Sequence, residues 1–248
     1  MKLISVITPA FNAEKCISAA IQSVIGQTYQ NWEMLIVDDC SSDNTVDVVE
    51  KFCALDSRIK LIRHLKNQGV ATARNTALAQ AKGAYIAFLD SDDMWMPQKL
   101  YLQYRFMEEN GYAFTYTAYQ KYISKSEGKG KVIAVPKRMT RTAIFYNTVI
   151  ACLTVMINKE KVGSFEMPLL NHAEDQCTWQ EILSRGYVAY GLNENLALYR
   201  VSDNSLTTNK GKAAKLQWSV YRKYYNFSLL KSATCFLSYA LHAIMRHL

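Results

Sequence analysis

The sequence predicts an α/β fold built on a doubly wound parallel sheet. Three observations lead there. Short apolar runs rich in β-branched residues alternate with segments of helical periodicity four times in about the first ninety residues. Polar and acidic residues collect where each run ends, as they do at the carboxyl edge of such a sheet, where ligands bind. The chain has 248 residues and is 50% hydrophobic, enough for one large core with an appendage.

Leu3–Thr8 is continuously apolar and β-type, the pattern of a buried parallel strand, and Pro9 is expected to end it. Phe11–Glu14 turns into a helix of about a dozen residues with Ile17, Ala20, Ile21, Val24 and Ile25 on one face and Gly26 at its stop. Trp32–Val37 is a second strand. The carboxylates Asp38 and Asp39 follow it, and Ser42 or Asp43 is placed to cap a helix whose inner face is Val46, Val49 and Phe52. Ile59–Arg63 is a short third strand. Asn67-Gln68-Gly69 opens a helix that Gly83 is expected to close, and Tyr85–Leu89 is the fourth strand.

The second half changes character. Tyr112–Ile123 is aromatic and β-rich, Ser124–Lys131 reads as a polar loop, and Val149–Ile157 as another strand. Glu174-Asp175 opens a helix through Trp179, Ile182 and Leu183 that Gly186 closes, and Leu196–Val201 is a strand. From Asn204 onward there is no acidic residue, while Lys210, Lys212, Lys215, Arg222, Lys223, Lys231 and Arg246 stand among aromatic and aliphatic side chains. The division expected is 1–208 as one α/β domain, with halves 1–109 and 110–208, and 209–248 as a basic, amphipathic helical tail set apart from it.

Composition removes several classes of function. There is no G-x-G-x-x-G after the first strand and no G-x-x-x-x-G-K-[ST], which argues against a dinucleotide dehydrogenase and a P-loop NTPase. Six scattered cysteines and four dispersed histidines make no zinc pattern and read as reduced structural thiols. No run reaches the length of a membrane span and no signal peptide is legible, so the expected location is cytoplasmic. The formal charge of +8 calls for an anionic partner: nucleic acid, anionic lipid or a nucleotide-linked substrate.

The chemistry centres on Ala84–Pro97, AYIAFLDSDDMWMP. A hydrophobic strand stops at Asp90, Asp92 and Asp93, and like charges at that density repel and resist desolvation. A hard divalent ion, Mn²⁺ or Mg²⁺, would offset them. A solvated acidic turn with an Asp capping the helix that begins near Pro97 accounts for the same residues.

Six stretches, in order, resemble the family 2 inverting glycosyltransferases of GT-A fold, bacterial surface-polysaccharide type. They are V-I-T-P-A-F-N (6 to 12), Q-T-Y-Q-N-W-E (27 to 33), V-D-D-C-S-S-D-N-T (37 to 45), G-V-A-T-A-R-N (69 to 75), G-A-Y-I-A-F-L-D-S-D-D (83 to 93) and E-D (174 to 175). The resemblance covers roughly residues 2 to 207 and implies a mixed, mostly parallel sheet and a nucleotide-sugar donor, usually a UDP-sugar. By position, Thr8, Pro9 and Phe11 would line the uracil pocket and Asp39 would hydrogen-bond the uracil or ribose. Arg74 would reach phosphate or hold the acidic loop. Asp90-Ser91-Asp92 matches the D-x-D, with Asp92 as direct metal ligand, Asp90 on the ribose or the metal's water, and Asp93 capping the next helix or assisting. Asp175 matches the base that takes the acceptor proton, with Glu174 orienting it. Many relatives have a histidine two residues beyond the arginine of Tyr199-Arg200, where this chain has Ser202; Asp203 or Arg200 could substitute. The Q-x-x-R-W signature of processive relatives is absent, which favours transfer of a single sugar.

The expected partners are therefore a UDP-sugar, a glycan or lipid-linked glycan acceptor, an anionic membrane surface for the tail at the cytoplasmic face of the inner membrane, and a second copy in a homodimer. Nucleic acid is not expected, because the basic residues concentrate in the tail instead of interleaving with aromatics across the sheet. A nucleotidyltransferase and a non-enzymatic binder of anionic ligands are the competing readings. The first would need a Gly-rich basic loop after the first strand, where the chain has Ala10-Phe11-Asn12.

Overall fold

The structure is a computed structural model and describes residues 1–123, 129–170, 172–201 and 210–245. The chain runs β1 (Ile4–Ala10), α1 (Ile17–Ile25), β2 (Trp32–Asp38), α2 (Thr45–Leu55), β3 (Ile59–Arg63), α3 (Val70–Gln80) and β4 (Tyr85–Phe88). It continues through β5 (Met94–Trp95), α4 (Lys99–Asn110), β6 (Phe114–Ile123), β7 (Lys129–Ile133), β8 (Arg138–Met139), β9 (Met156–Asn158) and α5 (Lys159–Val162). Last come α6 (Glu174–Ser184), β10 (Ala189–Val201), α7 (Lys210–Ser219), a π-helical turn over Val220–Tyr224, and α8 (Leu229–Met245).

The strands form one mixed sheet in the order β3-β2-β1-β4-β9-β6-β10-β5, with β7 on β6 and β8 on β10. β3, β2, β1 and β4 are mutually parallel. β9 is antiparallel to both β4 and β6, so β6 and its parallel neighbour β10 point the same way as the first four. The short strands β5, β7, β8 and β9 run against that direction. β1, β2 and β4 are buried along their whole length, as strands covered on both faces must be. α1 buries Ile17, Ala20, Ile21 and Val24, the stripe its spacing predicts. In the second half Trp179 of α6 is fully buried and packs edge-on against Phe88 of β4 and Phe114 of β6, with centroids 5.3 and 5.4 Å away. That contact seats α6 across the junction of the two halves.

Several expectations are corrected. Pro9 does not end β1; it pairs with Val37 inside the strand. The amide it lacks would face β4, whose register with β1 has already stopped at Ile7 and Phe88, so no ladder bond is lost. Gly83 does not close α3, which ends at Gln80. A Cβ at Gly83 would lie 2.5 Å from Ser5 N and 2.7 Å from Ser5 Oγ, so close backbone approach is what requires glycine. Val149–Ile157 is not a continuous strand. Cys152–Thr154 forms a 3₁₀ turn, because the Leu153 carbonyl accepts from Trp95 Nε1 and the Thr154 carbonyl from Gln103 Nε2, leaving only Met156–Asn158 for the sheet. β10 is longer than Leu196–Val201, and Lys129–Lys131 belongs to β7. Neither Ser42 nor Asp43 is the N-cap residue of α2, which is Asn44; Asp43 instead accepts from the amides of Thr45 and Glu14.

The tail packs on the rest of the chain. Tyr221 is fully buried, with its hydroxyl donating to the Phe145 carbonyl at 2.9 Å, and Ser238 Oγ donates to the Tyr146 carbonyl at 2.9 Å. No helix among the described residues is long and apolar enough to cross a membrane.

Gly83→Ala should destabilise the fold by about 1–3 kcal/mol, the usual cost of forcing extra volume into a packed site. A urea midpoint equal to that of the parent chain would show that the Ser5 backbone yields freely.

Candidate active site

Because β2, β1 and β4 are neighbours, their carboxyl ends bring Thr8–Asn12, Asp38–Asp43 and Asp90–Asp93 to one edge. The first two loops are stitched together. Asn12 N donates to Ser41 Oγ at 2.9 Å, Ser42 N to Asn12 Oδ1 at 2.8 Å, and Ala13 N to Thr45 Oγ1 at 2.7 Å. Asn12 and Cys40 hold φ of 49° and 65°, left-handed values uncommon for residues other than glycine. Thr8 and Pro9 are buried and Phe11 is 51% exposed. The Thr8 hydroxyl and Asp38 Oδ1 find no hydrogen-bond partner among the described residues.

Asp39 accepts from Gly69 N at 2.7 Å and from Gln68 N at 3.0 and 3.1 Å, and its Oδ1 lies 2.7 Å from His64 Nδ1. His64 Nε2 lies 3.0 Å from Thr76 Oγ1 on α3. His64 and Thr76 carried no expectation; a single histidine just past a strand gives no periodic or motif signal.

Arg74 is 4% exposed and joins the two halves of the chain. Nη2 donates to Asp90 Oδ1 at 2.6 Å and Nη1 to Glu174 Oε1 at 2.7 Å. Burial opposes its charge, but Asp90 and then Cys152 and Glu174 outweigh it and hold its pKa well above the ordinary value. Next to it Asn75 clamps the segment leading to α6: its Nδ2 donates to the Met167 carbonyl at 2.8 Å, and Met167 N donates to its Oδ1 at 2.7 Å. Arg74 thus holds the acidic loop rather than lying on the surface.

The other carboxylates lack such a partner. Burial, with Asp90 beside it, raises the pKa of Asp92, and the nearby Arg200 offsets this in part. Asp93 is raised much further by burial, Asp90 and Asp92. It does not cap α4, whose N-cap residue is Gln98; Asp93 Oδ1 accepts the Arg200 amide at 2.8 Å and so ties the loop to the end of β10. Ser91 is half-buried between the two candidate ligands. Ser202 and Asp203, which follow Arg200, lie outside the described residues. On α6, burial and then Glu174 push the Asp175 carboxyl up to about 7, with Arg74 opposing.

Among the described residues no three His, Cys, Asp or Glu side chains converge as a preformed metal cage. An ion that keeps its waters and shares its shell with substrate phosphate needs only one or two carboxylates. Asp92, with Asp90 and Asp93 beside it and Arg200 offsetting their charge only in part, fits that donor set.

A mostly parallel sheet with acidic loops gathered at its carboxyl edge and a second carboxylate pair facing them from a helix defines a GT-A-type transferase site. The comparisons agree. The chain belongs to glycosyl transferase family 2, whose model matches residues 5–163, and the protein is therefore a glycosyltransferase. It is 43% identical over 246 residues to TuaG of Bacillus subtilis (strain 168), assigned as a teichuronic acid biosynthesis glycosyltransferase, covering 99% of this chain and 98% of that one. It is 43% identical over 219 residues to the Escherichia coli UDP-Glc:alpha-D-GlcNAc-diphosphoundecaprenol beta-1,3-glucosyltransferase WfgD, covering 88% of this chain and 85% of that protein. Among solved structures, the mannosyltransferase PcManGT from Pyrobaculum calidifontis, in complex with GDP-Man and Mn2+, superposes with a TM-score of 0.73 at 17% identity, covering 95% of this chain and 70% of that one. At that identity the likeness is one of fold.

Arg74→Met should cost about 3 kcal/mol, the low end for removing one partner of a buried ion pair, since Asp90 keeps 30% and Glu174 12% of its side chain exposed. Chemical unfolding of the variant checks this, and an unchanged midpoint would mean the bridge contributes nothing net.

Proposed function

We propose that the enzyme transfers a single sugar from a UDP-sugar to a lipid-linked glycan, inverting the anomeric centre, with Mn²⁺ or Mg²⁺ bound. The observation that carries this reading is the Arg74 bridge, which sets the Glu174–Asp175 pair opposite the Asp90–Asp92 loop. The donor and acceptor classes named for WfgD, a UDP-sugar and a diphosphoundecaprenol-linked glycan, support it. So does the Mn2+ that accompanies a sugar nucleotide in PcManGT.

In this reading Thr8, Pro9 and Phe11 border the uracil, and Asp39, already held by Gln68 N, Gly69 N and His64, takes a uracil N–H. Asp90 and Ser91 lie against the ribose, and Asp92 is the metal ligand, with Asp90 supporting it. The bound ion supplies charge neutralisation at the diphosphate as UDP departs. Asp175 accepts the proton of the acceptor hydroxyl while that oxygen attacks the anomeric carbon and the bond to the diphosphate breaks. Glu174, engaged with Arg74, orients it.

Release of UDP from a panel of UDP-sugars tests the reading, and pyrophosphate release would replace it with nucleotidyl transfer. Asp92→Ala should abolish turnover without unfolding the chain, and Asp175→Asn should keep UDP affinity while losing turnover. The raised Asp175 carboxyl is protonated at acidic pH, so kcat should climb as pH rises through about 7 instead of through the ordinary carboxylate range. The groups facing it are Glu174, Arg74, Asp90, Cys152 and Cys177. Near-native turnover of either variant, or a limb near pH 4, sinks these assignments.

The tail supplies the membrane contact of a peripheral enzyme at the cytoplasmic face. Leu230, Leu237, Leu241 and Ile244 are 77, 64, 61 and 57% exposed and lie along one face of α8. Lys223 is exposed on the preceding turn, the Lys231 ammonium lies over the Phe227 ring, and no acidic residue follows Asp203. Such a helix binds an anionic interface through apolar burial and charge. Leu237→Ser with Leu241→Ser should abolish co-sedimentation with phosphatidylglycerol vesicles at low salt. Undiminished pelleting rejects the membrane, and a dimer that becomes monomeric on substitution assigns the stripe to a second copy.

A further inference from the structure

The inner face of the tail reaches the turn that aims Glu174 and Asp175. Ala173, which precedes the pair and stands at the N-cap of α6, has φ of 59° and ψ of 23°, a left-handed conformation that a side chain disfavours. Such a residue persists where its surroundings over-determine it. Here the surroundings come from the tail. Ala173, Cys177 and Val220 form one buried cluster, with Leu170 and Tyr225 packed on it. The tail loosens into a π-helical turn over Val220–Tyr224, an irregularity frequent at functional sites, and this turn presents Val220 to the cluster.

A second contact runs through hydrogen bonds. Gln217 is 2% exposed, and its Nε2 donates to Gln176 Oε1 at 3.2 Å. Gln176 Nε2 donates onward to the Ile144 carbonyl at 3.4 Å, and the Gln176 backbone N–H donates to Asp175 Oδ1 at 2.6 Å. Gln176, whose backbone N–H holds Asp175 Oδ1, is thus itself spanned between the tail and the body of the enzyme.

We infer that Gln217 and Val220, with Tyr225, are positioning residues for the Glu174–Asp175 pair: they hold Ala173 left-handed and Gln176 in place so that both carboxylates face the acidic loop. The inference rests on the assignment of Asp175 as the base. It makes residues 210–225 part of the active-site architecture in addition to any role of the outer leucines.

The test uses the full chain and a soluble acceptor analogue. Gln217→Ala and Val220→Ala should each lower kcat roughly ten- to hundred-fold, the scale of a misplacement near 1 Å. Donor KM and UDP affinity by calorimetry should stay within about two-fold, since the nucleotide site is not touched. Glycine adopts the left-handed turn without a side-chain penalty, so adding Ala173→Gly to Val220→Ala should recover part of the lost kcat. Wild-type kcat in both single variants overturns the inference. A fall in kcat that parallels a fall in thermal midpoint, raises donor KM equally and gains nothing from Ala173→Gly overturns it too, because a general loss of packing would do the same. Asp175→Asn separates the two claims. If it keeps wild-type turnover, the base assignment falls and the positioning inference with it. If it is inactive while the tail variants turn over normally, only the positioning inference falls.

Discussion

The buried Arg74 guanidinium is the interaction on which the site depends. It sits on α3, inside the half of the molecule built from parallel strands, and reaches one carboxylate from each half: Asp90 at the end of β4 and Glu174 at the start of α6. A buried charge so placed costs several kcal/mol in desolvation and survives only because both arms are paired. The pairing fixes where α6 begins relative to β4, while the Trp179 ring between Phe88 and Phe114 fixes its axis. The same helix carries Asn75, which clamps Met167, and Thr76, which meets His64 behind Asp39. One short helix therefore touches the loop behind Asp39, the acidic loop and the segment that enters α6. Its low amphipathicity follows from this, because it is surrounded by partners and buries Ala71, Ala73, Arg74, Ala77 and Leu78.

Left-handed residues mark the borders of that site. Asn12 and Cys40 hold the two loops beyond β1 and β2, and Ala173 holds the entrance to α6. Strain of this kind is maintained by surrounding packing and hydrogen bonds, and here they can be named: Ser41, Ser42 and Thr45 around Asn12, and the Val220 cluster around Ala173.

The four parallel strands and the faces of α1 and α6 were legible in the sequence because each is a local pattern whose period matches its environment. The acidic loop was legible because three carboxylates after a hydrophobic strand admit few explanations. What escaped depends on contacts distant in sequence. The run Val149–Ile157 has every local feature of a strand, yet Trp95 and Gln103 take its carbonyls. Gly83 looks like a helix stop until Ser5 is seen against it. Lys99, in the first turn of a helix, would ordinarily be solvated; here it is fully buried over the Trp95 ring, 4.1 Å from the centroid, and burial pushes its pKa down to about 7. Composition showed the tail to be amphipathic and basic, but not that its inner face meets Gln176 and Cys177.

Arg74 also divides the carboxylates into those with a counter-ion and those without one. It pairs with one of the three loop carboxylates, Asp90, and with one of the two on the helix, Glu174. Those left over, Asp92, Asp93 and Asp175, keep neighbours of like charge and no full counter-ion, and burial raises the pKa of each. Under the proposed function the leftover carboxylates suit different tasks. In the proposed reading Asp92 sits among further acids, where a divalent cation would relieve the repulsion, while the raised proton affinity of Asp175 would match a base working near neutrality. A lysine at position 74 would not do this equally well, because one compact ammonium cannot present two planar donor arms to two carboxylates on different elements. The geometry of the guanidinium thus decides which carboxylates carry a counter-ion and which do not.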